Sequence, residues 1–173
     1  VDLPDGDLAD AAAEGSAEIL ADAYRAGAAH VGGPEGDATD VTSHLRPAFE
    51  LSIAEPLRAG VAALLEASDD VEELIEQVRA AYRTFRTEQL PDASAHLVAA
   101  AFARGRYDGI GADVDVVWLQ DPTASSPDCE DNELAGVVSK GTVFPTGAEC
   151  APAYAGCRCL VIPAALAPTP SEA

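Results

Sequence analysis

The sequence predicts a mainly α-helical protein with a small β module at its C-terminal end. Three observations lead to this fold class. Through the first two-thirds of the 173 residues, apolar side chains recur at helical spacing and aromatic residues are scarce, at 5% of the chain. From about residue 111 the chain changes to glycine-broken turns and two short apolar runs that are typical of strands. All four cysteines lie in this last part, between residues 129 and 159.

Two helices are predicted in residues 1–67. Apolar side chains recur at helical spacing from Asp5 to about His30, and the glycines and proline at 32–34 end the run. A second apolar stripe covers about residues 45–67. Pro56 lies inside this stripe, where it lacks a backbone N–H and its ring crowds the preceding turn, so we expect a kink or a split there.

Two further helices are predicted before residue 110. Asp69 is the expected N-cap of the third helix, because Glu72 follows it three residues later in the pattern of a capping box. Pro91 is expected to end this helix, and a fourth helix spans about residues 93–107. With these two helices, the predicted helical body comprises residues 1–110.

The C-terminal module is predicted to comprise residues 111–163. A valine-rich run at 114–119 indicates one strand, and "CRCLVIP" at 157–163 indicates a second strand that the proline stops. The sequence thus predicts a two-stranded end that cysteines hold together. The last ten residues, 164–173, have the composition of a disordered tail.

The four cysteines are the candidate metal ligands of this module. Cys157 and Cys159 flank one residue of the predicted strand, so their side chains share a face, well placed to hold one metal ion and poorly placed to bond each other. With Cys129 and Cys150 arriving from loops, the four sulfurs suit a tetrahedral Zn²⁺ site. Two alternatives stay open: two disulfides that join Cys129 and Cys150 to the other pair, and four reduced thiols.

Charge and motifs narrow the function classes. Thirty acidic residues against ten basic ones give a net charge of −20. Phosphate backbones repel such a chain, which argues against general DNA binding, and no apolar run approaches the ~20 residues of a membrane span. The composition is typical of a GC-rich genome or of a halophilic host, where molar salt shortens the Debye length to ~3 Å.

No nucleophile elbow, phosphate-binding loop, dinucleotide fingerprint or HExxH motif occurs, so we predict a non-enzymatic protein without catalytic residues.

The end of the chain resembles a known family. "VVWLQDP…SSPDCEDNELAG…KGTVFP…APAYAGCRCLVIP" is similar to the C-terminal part of the phage Mu F-like minor head proteins, also called phage head morphogenesis proteins. Ser126 stands where that family has a cysteine, and Tyr154 stands where it has a histidine, both of them expected ligand positions. Cys150 would replace one of these ligands in a rearranged site. The matching positions are Trp118, Pro127, Cys129, Asn132, Gly136, Phe144, Pro152, Gly156, Cys157, Arg158 and Cys159.

The resemblance implies a structural protein of a tailed virus. It implies a place in the capsid interior or at the portal vertex, a role in head assembly or genome delivery, and the host cytoplasm as the site of assembly. The implied partners are the portal protein or the major capsid protein. Several copies are expected, because amphipathic alanine-rich helices pack on symmetric neighbours. The alternatives are a delivery or adaptor domain cut from a larger phage-derived toxin, and a cellular zinc-binding adaptor.

Overall fold

The chain folds into a helical body followed by a small module with a three-stranded sheet. The computed structural model describes residues 7–33, 38–67, 70–123 and 126–168. The arrangement confirms the predicted fold class, mainly α with a small C-terminal β module. Within the described ranges, no helix is both long enough and apolar enough to cross a membrane.

Within the described residues, the helical body consists of five helices that pack against one another. A glycine with a φ of +68° at position 32 follows the first helix, in the left-handed conformation that glycine adopts most readily. A 3₁₀ turn, Ala38–Asp40, leads into the second helix. The helices are α1 (Asp7–His30), α2 (Val41–Phe49), α3 (Glu55–Ala67), α4 (Val71–Thr84) and α5 (Leu90–Gly109).

Two of the helix junctions are π-helical turns that each precede a proline. Glu50–Ala54 joins α2 to α3 before Pro56, and Phe85–Gln89 joins α4 to α5 before Pro91. A proline cannot donate to the carbonyl four residues earlier, and its ring crowds that carbonyl. A wider turn relieves the crowding and lets the helix continue. The predicted break at Pro91 is therefore wrong, because the helix continues through it. Pro56 lies in the first turn of α3, just after the π turn, and the helix is not split there.

The N-cap of α4 lies one residue beyond the expected position. Asp70 accepts hydrogen bonds from the backbone N–H groups of Glu72 and Glu73, at 2.9 and 3.2 Å. These bonds satisfy two donors that a helix start leaves without an intrahelical partner. The predicted cap, Asp69, lies outside the described residues.

The body is built around the contact between α1 and α5, which is its most extensive helix contact. Gly27 on α1 and Gly105 on α5 let the two backbones touch directly, since a Cβ at either position would collide with the other helix. α2 packs across this pair and closes the core. The helices α3 and α4, in contrast, contain no fully buried residue. The larger core side chains are Leu20, Tyr24, Leu45, Phe49, Ile53, Phe85 and Leu97.

The sheet of the module has β1 (Asp115–Leu119) at its centre, antiparallel to β2 (Val138–Ser139) and to β3 (Leu160–Pro163). The sequence predicted β1 and the end of β3. It did not predict β2, nor the helix α6 (Pro127–Leu134) between the strands. A 3₁₀ turn, Ala164–Leu166, occupies part of the predicted tail, and residues 169–173 lie outside the described ranges.

Cys157 and Cys159 precede β3 instead of lying on it, so the predicted start of the strand is wrong. Gly156, with a φ of +91°, turns the chain just before them, and the Cys157 N–H donates to the Tyr154 carbonyl at 3.1 Å. A turn held in this way cannot supply the ladder hydrogen bonds of a strand. The module has its own cluster of buried side chains, to which Tyr107 and Ile110 at the end of α5 contribute.

Candidate metal centre

Three of the four cysteine sulfurs meet inside the module. The Sγ atoms of Cys129, Cys157 and Cys159 all lie within 4.8 Å of one another, and the three side chains are buried. The Cys129 and Cys157 sulfurs are 3.7 Å apart. All four cysteines of the chain are free thiols. The three buried sulfurs are close enough to hold one metal ion.

Two local structures bring these sulfurs together. Ser126 is the N-cap of α6 and accepts a hydrogen bond from the Cys129 N–H at 3.4 Å, which places Cys129 in the first helical turn. The turn at Gly156 directs Cys157 and Cys159 toward that helix end. The helix cap and the glycine turn thus bring the sulfurs together, whereas the sequence analysis expected a strand to do so.

Two hydroxyl side chains lie beside Cys129 in this cluster. Tyr154 Oη lies 3.8 Å from Cys129 Sγ, and the Ser126 side chain also hydrogen-bonds to Cys129 and Tyr154. These are the two positions at which the sequence departs from the family it resembles. The structure therefore places both departures beside the same three sulfurs.

Burial and hydrogen bonding act in opposite directions on the thiols. Burial would raise the pKa of Cys129, but hydrogen bonds from Ser126, Cys159, Tyr154 and Cys157 outweigh it and lower that pKa. Burial of Cys159 prevails and raises its pKa to about 12. Cys129 therefore gives up its proton at lower pH than Cys159, and a metal ligand must be a thiolate.

Cys150 stands apart from this group, although the sequence analysis proposed it as a fourth ligand. It lies beside Arg104, which donates to Asp108 and to Glu149 at 3.0 Å each. Burial raises the pKa of Cys150 to about 11, so its thiol stays protonated at neutral pH. Cys150 is therefore a half-buried thiol packed against an ion-pair network.

A second set of contacts, which the sequence analysis missed, joins the module to the end of α5. Lys140 Nζ donates to the carbonyl of Asp108 at 3.2 Å and to that of Ile110. It thereby satisfies carbonyls that the end of a helix leaves open. The Tyr107 hydroxyl accepts from the Gly141 N–H at 2.7 Å. One signal was available in the sequence: Lys140 is the only lysine of the chain.

Several other positions of the resemblance build the interior of the module. The rings of Trp118 and Phe144 meet edge to face, with centroids 5.1 Å apart. Asn132 is fully buried, and its Oδ1 accepts from both the N–H and the hydroxyl of Thr146, at 3.1 and 3.0 Å. Gly136 has a φ of +67° at the end of α6. Trp118 and Phe144 therefore pack in the interior, Asn132 holds the Thr146 loop, and Gly136 turns the chain after α6.

Comparison of the chain with models of protein families, with curated proteins and with solved structures finds no match.

Proposed function

We propose that the C-terminal module is a zinc-binding structural element, with Cys129, Cys157 and Cys159 as ligands. Zinc binds thiolates at about 2.3 Å in tetrahedral sites, so two of its sulfur ligands lie about 3.8 Å apart. The 3.7 Å between Cys129 and Cys157 fits this spacing. A disulfide needs about 2.05 Å, and a pair of disulfides would need Cys150 beside the cluster.

A buried donor beside the thiols supports the proposal. Trp118 Nε1 is buried and has no oxygen or nitrogen partner among the described residues. It faces Cys159, whose ionised form it would stabilise by a hydrogen bond. A thiolate held by a metal accepts such a bond readily, and donors to ligand sulfurs are a usual part of metal sites.

Tyr154 stands where the resembled family has a histidine, and its hydroxyl oxygen would be the fourth ligand of the zinc. Its hydroxyl lies 3.8 Å from the Cys129 sulfur. The zinc would supply a cross-link between α6 and the turn before β3. Such a link stabilises a module whose large buried apolar side chains are few, because metal binding adds directly to folding free energy.

For the whole chain we propose the role of a minor head protein of a tailed virus. The proposal rests on one observation: residues that carry the resemblance come together in one module. Ser126 and Cys129, about 30 residues before the closing Cys-Arg-Cys, meet it in space, and Trp118 and Phe144 belong to the same buried cluster. The portal or the major capsid protein is the proposed partner, and several copies per head are expected. The net charge of −20 favours protein surfaces over DNA as the contact.

Zinc content tests the first proposal. The purified chain should retain roughly one zinc per molecule, as a closed structural site does. Cys157→Ser should lose it and become sensitive to protease between residues 126 and 160, while the matched control Cys150→Ser keeps both zinc and resistance. A chelator should loosen the module and a reductant should not. Zinc binding that is equal in the two variants, or loosening by the reductant alone, would contradict the proposal.

Head assembly tests the second proposal. The chain is co-expressed with portal and major capsid proteins of a tailed virus from the same host, and assembled heads are separated by sedimentation. We expect the chain to sediment with the heads and to resist protease there, Cys150→Ser to do the same, and Cys157→Ser to stay in the soluble fraction. A parent chain that remains wholly soluble beside well-formed heads would refute the role.

A further inference from the structure

One face of α4 carries apolar side chains that are largely exposed. Val71, Ile75 and Tyr82 are spaced four and seven residues apart, so they share one side of the helix. Their exposed fractions are 67%, 45% and 57%. The adjacent side of α4 packs on α3, and neither helix contains a fully buried residue. We call the side that carries Val71, Ile75 and Tyr82 the α4 face.

Charges beside the α4 face divide sharply along the helix. Glu72, Glu76, Arg79 and Arg83 follow one another at spacings of four, three and four, and so form a single row along the edge of the face. The first half of the row is acidic and the second half is basic. The contrast stands out, because the whole chain has only ten basic residues.

We propose that the α4 face binds the same face of a second copy of the chain, with the two helices antiparallel. A two-fold axis that passes near Gln77 and Val78 sets Glu72 opposite the partner's Arg83 and Glu76 opposite the partner's Arg79. Each pair occurs twice, because a two-fold interface is self-complementary. The internal ion pair of Glu76 with Arg79, at 2.7 Å, then lies beside its copy.

The apolar side chains fit the same register. Tyr82 of one copy lies opposite the stretch between the partner's Val71 and the partner's Ile75, so that aromatic and aliphatic surfaces cover each other. A parallel arrangement would instead set acidic halves together and basic halves together, which like-charge repulsion disfavours. An unrelated acidic surface would match only the basic half of the row. The divided row therefore selects a second copy as the partner.

The interface is small, which sets its strength. α4 has 14 residues and is about 21 Å long at 1.5 Å per residue. A single helix pair of this length lies below the standard interface of about 1,600 Å² and so belongs with weak, reversible contacts. We expect a dimer that depends on concentration and weakens with added salt, because ion pairs at its rim are screened. The inference stands independently of the zinc site.

Analytical ultracentrifugation of the full chain over a range of concentrations tests the pairing. The double variant Arg79→Glu/Arg83→Glu makes the row wholly acidic and should weaken dimerisation by about tenfold or more. The matched control Arg25→Glu/Arg46→Glu changes the net charge equally at exposed ion pairs on α1 and α2, and should dimerise as the parent does. Circular dichroism checks that every variant keeps its helices.

A charge swap then tests the antiparallel register. The quadruple variant Glu72→Arg/Glu76→Arg/Arg79→Glu/Arg83→Glu has the net charge of the parent and reverses every proposed pair, so dimerisation should return. Tyr82→Ser, a change at an exposed position, should weaken the dimer without altering charge. A parent that is monomeric at all concentrations would overturn the inference. So would equal dimerisation of the acidic and control variants, or a swap that does not restore it.

Discussion

Replacing Gly105 by alanine should force the two central helices apart. A Cβ at this position would overlap the Tyr24 carbonyl oxygen of α1 and lie 2.7 Å from its carbon, whereas ordinary contacts are 3.4–4 Å. The atoms in the way belong to the backbone, so no side chain can turn aside to make room. α1 must therefore move by roughly 1 Å or more, in an interior packed as densely as a crystal.

The expected cost follows from two opposing effects. Overpacking of this kind destabilises a protein by about 1–3 kcal/mol. The higher helix propensity of alanine returns up to about 1 kcal/mol. We therefore expect a net loss of roughly 1–2 kcal/mol, a sizeable share of the ~5–15 kcal/mol by which domains are stable. Urea unfolding followed by far-UV circular dichroism measures this loss as a lower midpoint with an unchanged slope.

Two helical glycines of the same chain supply matched controls. Gly15 on α1 and Gly60 on α3 have nothing within 4 Å of an added Cβ. Alanine at either should stabilise the protein by about 0.5–1 kcal/mol, because only the propensity term acts. The opposite signs at buried and open glycines are the essential expectation. Stabilisation by Gly105→Ala equal to that by Gly60→Ala would refute the close approach of α1 and α5.

Further outcomes are expected from the thiols and from the charge. Tyr154→His should tighten zinc binding by about tenfold or more in competition with a chelator, because imidazole is a better zinc ligand than a phenol; an unchanged affinity would count against Tyr154 as the fourth position. In zinc-free protein, the pKa of Cys150 is raised from 9.0 to about 11, so its contribution is fully present below pH 9 and is lost as pH rises toward 11. This loss amounts to about 2–3 kcal/mol of unfolding free energy, measured by urea unfolding. Cys150→Ala should show a smaller loss over the same pH range. An identical pH profile in the variant would contradict the raised pKa of the thiol. If the host is halophilic, helicity should fall when salt is lowered from molar to millimolar, because thirty carboxylates then repel one another; constant helicity would leave a GC-rich genome as the explanation of the composition.

The helical body was predictable because its information is local. The apolar spacing that runs to Tyr82 marked α4 correctly, and the acidic residues before it marked its start to within one position. The continuation through Pro91 was not predictable in the same way. Whether a proline ends a helix depends on whether the backbone before it can widen into a π turn, and the packing of Phe85 in the core favours that outcome. Tertiary contacts decide this, and they leave no mark in the periodicity.

The grouping of the cysteines was predicted more fully than the local structure that brings them together. Spacing correctly grouped Cys157 with Cys159, and Cys129 joined them as expected. Spacing also admitted Cys150, because a loop of that length can reach the cluster. The fold instead places Cys150 beside Arg104, on an element of the body whose approach no local pattern reports. The places of Ser126 and Tyr154 were indicated only by the resemblance.

The module is held by two fastenings that act on different parts of it. Lys140 and Tyr107 tie the end of α5 to the loop after β2, through carbonyl and N–H groups that need no metal. The thiol cluster ties α6 to the turn before β3, through Cys129 and Cys157. Because the two sets share no residue, loss of the second leaves the first in place. The sheet then keeps its attachment to the body, and the proposed zinc would fix α6 to the turn before β3. We propose that the head contact lies on the surface that α6 and this turn form together, because a partner that recognises the finished module would bind there and not on the helices.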